Sequence, residues 1–181
     1  PQPASVEPDD FPVTAYQTHA YRAEQSSGAS SAYNVAVRYR IDGPVSDAAL
    51  SRALQALLKR HEILRTYLIE QAGEVRQRVL PTLDLPLRIE NLEHLTLEQR
   101  QRELERIGRA EALRVVALSS APLVHLTLVR LDPRDAVLHF TFHQAAIDGW
   151  SLSILMRELG SLAAAFDAGT AFVLPQVDLH Y

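Results

Sequence analysis

The chain contains no cysteine, which excludes disulfides, thiolate nucleophiles and thiolate metal sites. Long apolar runs are also missing. None approaches the ~20 residues needed to span a bilayer, so no membrane partner is expected. The first ten residues lack the basic and apolar regions of a signal peptide, and a cytoplasmic protein is the expectation. An excess of positive charge is absent too: the formal net charge is -4. Lys59 is the only lysine, and arginine supplies the other cations without forming a basic face, so nucleic acid is not an expected partner. An HExxH motif, a Gly-rich phosphate loop and a G-x-S-x-G turn are all missing. These absences argue against a metal, a nucleotide and a serine nucleophile.

What remains is an ordinary globular composition, 47% hydrophobic and 22% charged over 181 residues. Pro1–Asp10 reads as a linker, with the domain boundary placed after residue 11 and one unit over 12–181. Thr14–Glu24 reads as a short helix. Val35, Val37, Tyr39 and Ile41 alternate with Arg38 and Arg40 as in a half-buried strand. Ser46 can cap a helix whose stripe is Leu50, Ala53, Leu54, Leu57 and Leu58. Leu64–Glu70 and Val75–Leu80 flank a Gly-containing turn, a hairpin signal. Leu87–Glu90 can form a further strand. Thr96 can cap Leu97–Leu113, whose thin apolar stripe suits a surface helix. Two strands, Leu123–Leu131 and Ala136–Phe142, precede the segment His143–Gly149. A helix over Trp150–Ala168 follows, ended by Gly169, and Val173–Tyr181 reads as an extended tail. Adjacent strands mixed with helices predict an α+β fold, a mixed sheet packed with helices.

The chemistry concentrates in the strand–loop–helix unit around His143-Gln144-Ala145-Ala146-Ile147-Asp148-Gly149-Trp150-Ser151. A loop there presents side chains at a sheet edge and N–H groups at a helix start. Acyl transfer uses both: a base for the nucleophile's proton, and donors for the tetrahedral oxyanion. Gly149 leaves room for close approach to the backbone. Short motifs have a plainer reading as well. A histidine at a strand end is commonly a hydrogen-bonded packing residue, and Asp-Gly before a helix is commonly a turn with an N-cap. His61, His125 and His139 read as structural. Trp150 and Met156 are expected to pack against the sheet.

This segment resembles the HHxxxDG motif of condensation domains of nonribosomal peptide synthetases, in the chloramphenicol acetyltransferase-like superfamily. Val13-Thr14-Ala15-Tyr16-Gln17 looks like the family's opening (S/T)xxQ element. Arg60-His61-Glu62-Ile63-Leu64-Arg65-Thr66 matches its RHExLRT element. Pro122-Leu123 with Val129-Arg130-Leu131 resembles its PLxRxxLxRL stretch. The resemblance covers about Asp10 to Tyr181 and implies a two-layer sandwich subdomain, the N-terminal half of a two-lobed domain. The missing C-terminal half would complete a substrate tunnel.

By the same resemblance, the family's reaction-centre histidine falls on Gln144, which cannot act as a base near neutral pH. His143 is expected to face inward or support the loop, and Gln144 to face the tunnel. Trp150 and Ser151 fall on the tunnel side. Asp148 is expected to be a structural residue held by Arg65 in an ion pair. The intact domain would join an acyl or peptidyl donor to an amine, both carried on 4'-phosphopantetheine arms of carrier proteins, with no bound cofactor or metal. Val115-Val116-Ala117-Leu118 departs from the family's Pro-Phe-Asp-Leu. Two other readings stay open: a non-catalytic domain that docks a carrier protein or recruits a tailoring enzyme, and an ester-forming acyltransferase. An exposed face toward the missing half would also invite a homodimer.

Overall fold

The computed structural model describes residues 9–171 and Leu174. Most of the N-terminal linker and of the C-terminal tail read from the sequence lies outside these residues. The elements run β1 (Asp9–Pro12), α1 (Ala15–Ser27), β2 (Asn34–Asp42), α2 (Asp47–Arg60), β3 (Thr66–Gln71) and β4 (Glu74–Val79). They continue with β5 (Arg88–Asn91), α3 (Leu97–Ala112), β6 (Val124–Asp132), β7 (Asp135–His143) and α4 (Gly149–Asp167). Short 3-10 turns lie at Ser31–Tyr33 and Glu62–Arg65.

A four-stranded sheet in the order β2-β7-β6-β5 forms the centre, and β1-β4-β3 form a smaller sheet. In the large sheet β5 runs parallel to β6 while the other pairs are antiparallel, so the sheet is mixed. Side-chain alternation on β6 and β7 divides the core. Leu126, Leu128, Leu138, Phe140 and Phe142 pack with the apolar stripes of α1, α2 and α4. Val129, Leu131 and Val137 face the other way, toward Ile107 of α3. The rest of that second face is polar: Thr127 Oγ1 donates to the buried Glu111 carboxylate at 3.0 Å, and Thr141 Oγ1 donates to the Glu111 carbonyl. This explains the thin stripe of α3, which buries only Ile107 and Glu111.

Local chemistry sets the element ends. Thr14 and Thr96 head two capping boxes, closed by Gln17 and Gln99. Ala72 and Gly73 both take positive φ, 52° and 83°, the backbone of a type I′ hairpin turn between β3 and β4. Arg130 reaches Asp47 and the Val45 carbonyl and so anchors the start of α2. The expected linker boundary moves. Asp9–Pro12 is strand β1, laddered onto β4, and Asp10 takes both arms of Arg78 at 2.7 and 2.8 Å. A β-ladder and a bidentate ion pair are stronger determinants than the Pro- and Asp-rich composition suggested. Among the described residues no helix is long and apolar enough to cross a membrane.

Candidate functional site

The segment 143–149 leaves the C-terminal end of β7 and enters α4. His143 closes the strand, its N–H bonded to the Leu123 carbonyl at 3.0 Å. Its ring is buried, 2% exposed, and stacks on Tyr33 with centroids 5.8 Å apart. Nδ1 accepts the Ala145 N–H at 3.0 Å, so the neutral ring carries its proton on Nε2. Burial pushes its pKa down to about 4. His143 therefore stays neutral near pH 7 with its only lone pair occupied. It supports the loop and offers no base.

Gln144 has the opposite orientation. Its N–H is held by the Tyr33 carbonyl at 2.9 Å, while the residue is exposed. Its side chain lies beside the phenol of Tyr16, itself 40% exposed on the first turn of α1. Burial raises the Tyr16 pKa, and the Gln144 contact opposes that rise. Ala145, Ala146 and Ile147 then tuck into the core. The Ala145 carbonyl accepts from Nε2 of the buried Gln17 at 3.1 Å, a contact spanning 128 residues of sequence. The opening Thr14–Gln17 element thus reaches the loop directly, which its short-range capping signature does not reveal.

Asp148 is the N-cap of α4. Its carboxylate accepts the Ser151 N–H at 2.7 Å, and that bond holds its pKa below the usual carboxylate range. Gly149 opens the helix with nothing within 4 Å of where a Cβ would stand. Among the described residues the glycine fills no packing requirement, and the space above it is open.

Two expectations are corrected here. Arg65 and Asp148 do not pair. Arg65 is buried and its guanidinium is consumed by backbone carbonyls: Leu58 at 2.8 Å, Pro81 at 3.3 Å, and Leu80. Asp148 is exposed and already engaged with its own helix. Trp150 does not pack on the sheet. It is 78% exposed, because the stripe of α4 that meets the core runs through Leu152, Leu155, Leu159 and Leu162. Met156 does pack against that core. Ser151 is half-buried, its backbone given to the Asp148 cap.

The Arg60–Thr66 element forms a junction rather than a catalytic group. His61 Nε2 donates to the buried Glu158 of α4 at 2.7 Å, and Arg60 Nε donates to the same carboxylate at 3.1 Å. Together with Arg65 these bonds tie the end of α2 to α4 and to the β3–β4 sheet. His139 packs under α3 and His125 is half-buried, and burial lowers the pKa of both. Val115–Leu118 is a packing link. Val116 and Leu118 are buried, the Leu118 N–H is held by the Glu24 carboxylate at 3.0 Å, and the Leu118 carbonyl accepts from Leu68 at 2.7 Å. Glu24 and Glu158 carried no recognisable sequence signal. Both read as ordinary helix-surface charges until the partner segments fold against them. Among the described residues no cluster of three or more potential metal ligands exists.

The end of β7 thus carries a histidine turned inward, a glutamine turned outward and a glycine at a helix start. The family profile described as "Condensation domain" matches residues 7–181. The chain belongs to the condensation-domain family. It is 36% identical over 177 residues to phosphinothricin tripeptide synthetase PhsC of Streptomyces viridochromogenes, covering 96% of this chain and 16% of that protein. It is 32% identical over 173 residues to chondramide synthase cmdD of Chondromyces crocatus, covering 96% of this chain and 4% of that protein. The fold matches the starter condensation domain of rhizomide synthetase RzmA with a TM-score of 0.84 at 22% identity, covering 94% of this chain and 42% of that one. The first condensation domain of the calcium-dependent antibiotic synthetase gives 0.82 at 23%, covering 92% and 40%. The chain therefore spans less than half of these solved condensation domains and a small fraction of the synthetases. The chloramphenicol acetyltransferase-like fold expected from the resemblance is the fold observed.

Proposed function

We propose that this condensation-domain segment is the N-terminal lobe of an amide-bond-forming domain and supplies one wall of its substrate tunnel. The observation that carries the reading is the split orientation at the end of β7: His143 locked inward and neutral, Gln144 presented outward beside Tyr16. In the reaction, an amine on one carrier-protein phosphopantetheine arm attacks the thioester carbonyl on another. The new C–N bond forms, the C–S bond breaks, and the thiolate leaves. The nitrogen proton passes to solvent or to the thiolate. Gln144 is able to orient the amine by accepting one of its hydrogens but has no basic atom to take the proton. In this reading the thioester oxygen, as it becomes negative, would meet the α4 N-terminus.

A second reading follows from the same observation. Neither histidine nor glutamine at 143–144 can serve as base, so the domain is equally suited to docking a carrier protein or recruiting a tailoring enzyme without turnover. Turnover separates the two. The chain is joined to its second lobe, both carrier proteins are loaded, and product is followed by mass spectrometry for the parent and for Gln144→His. The amide-forming reading expects a slow parent and a His variant faster by about 10²–10⁴. A His variant that also gives no product removes the amide-forming reading and leaves docking. A parent as fast as the His variant removes the docking reading.

A further inference from the structure

We propose that Gln17 is a positioning residue of the site, one that holds the Gln144 loop against the Tyr16 end of α1. Its consequence for catalysis rests on the amide-forming reading, whereas the placement itself does not. The Gln17 side chain is 2% exposed and uses both ends of its amide. Oε1 accepts the Thr14 N–H at 2.9 Å, and Nε2 donates to the Ala145 carbonyl at 3.1 Å. The peptide groups around residue 145 are thus held on two sides. The Ala145 N–H goes to the His143 ring, and its carbonyl goes to Gln17. The Gln144 N–H is in turn fixed on the Tyr33 carbonyl, so both peptide N–H groups flanking the Gln144 side chain are held.

The same Gln17 side chain fixes the first turn of α1, and Tyr16 is the neighbouring residue on that turn. One buried amide therefore sets the spacing between the two exposed polar groups that face the open side of the loop, the Tyr16 phenol and the Gln144 amide. Helix capping does not explain the choice of residue. A capping box closes equally well with glutamate or glutamine, because it needs only an acceptor. Donation to the Ala145 carbonyl needs the amide NH2, which glutamate lacks.

That difference supplies the experiment. Gln17→Glu keeps the cap acceptor, loses the donor, and sets a carboxylate oxygen against a carbonyl. The isolated 15N-labelled chain is compared with this variant by NMR. The Gln144 side-chain amide is assigned by its loss in Gln144→Ala. In the parent, that amide is expected off the free-glutamine position, with a cross-peak to the Tyr16 ring. In Gln17→Glu the cross-peak disappears, and amide exchange over Ala145–Ile147 rises by about tenfold or more while the rest of the chain stays protected. Thr14→Ala, which weakens the cap and leaves the tether, keeps the cross-peak. Gln17→Met, which fills the volume without either bond, replaces Gln17→Glu if the buried carboxylate unfolds the chain.

An unchanged cross-peak and unchanged exchange in the position-17 variant overturn the proposal. So does a loss in Thr14→Ala as large as that in Gln17→Glu. In the joined two-lobe domain carrying Gln144→His, Gln17→Glu is expected to lower kcat on the order of tenfold to hundredfold at unchanged donor KM. A lost cross-peak with no turnover in either protein counts against the amide-forming reading alone, and Gln17 still places the loop.

Discussion

Acidification should weaken this fold in a pH window that one residue dominates. His143 is buried, with its pKa pushed from 6.5 to about 4. The folded chain therefore binds fewer protons than the unfolded chain between those values. Stability is complete above pH 6.5, falls as the pH drops through the window, and levels off near pH 4. The whole difference corresponds to about 3 kcal/mol, of which about 2 kcal/mol is lost between about pH 7 and about pH 5. His125 and His139 shift in the same direction through burial and add to the slope. The carboxylates that gain partners, Asp10, Asp148, Glu103 and Glu111, have folded pKa values below their ordinary 3.8 or 4.5, so their losses come at lower pH.

Urea unfolding followed by far-UV circular dichroism, repeated across this range, measures the slope. His143→Asn isolates the residue. Its side-chain oxygen can take the Ala145 N–H in place of Nδ1, and it does not titrate. The variant should be less stable at neutral pH, having lost the Tyr33 stack, and should lose about 2 kcal/mol less than the parent between about pH 7 and about pH 5. Parallel pH curves for parent and variant would refute the buried, neutral imidazole and the loop support built on it.

Arg65→Ala should cost about 3 kcal/mol, because three carbonyls lose a charged donor. Asp148→Ala should cost about 1 kcal/mol as a lost N-cap. Their double-mutant cycle should close within about 0.5 kcal/mol, and a coupling of several kcal/mol would restore the ion pair that the structure rejects. Gly149→Ala should fold at least as well as the parent, gaining up to about 1 kcal/mol of helix propensity, since the added methyl meets nothing among the described residues. In the joined two-lobe domain the same methyl should cut turnover on the order of tenfold or more, and unchanged kinetics would remove the substrate from the space above residue 149.

The elements were readable because periodicity and punctuation agree along this chain. The stripe Leu50 to Leu58, the alternation of β2, the Ala72-Gly73 turn and both threonine caps each state their local structure, and packing does not override them. The site was readable only in part. The inward His143 and outward Gln144 follow from a period of two at a strand end. The fate of Arg65 does not, because a guanidinium donates to any nearby oxygen, and three carbonyls lie within its reach while the Asp148 carboxylate does not. Trp150 misled for a related reason. An indole suggests burial by its size, yet position 150 falls off the stripe that runs through Leu152 and Leu155. The contacts of Gln17, Glu24 and Glu158 join segments tens of residues or more apart and leave no trace in local pattern. The β1 strand was hidden by proline and aspartate, residues that read as linker until a partner strand is present.

Trp150 is the single tryptophan of the chain, and it stands 78% exposed one residue from Gly149. Ultraviolet emission at the indole's excitation edge therefore comes from one known point beside the candidate site. In the free chain that emission should be red-shifted, as for a water-bathed indole. A second lobe, a carrier protein or an acyl chain settling on that face shifts it to the blue. Occupancy there can be titrated without a label and without turnover, which makes even a silent domain measurable.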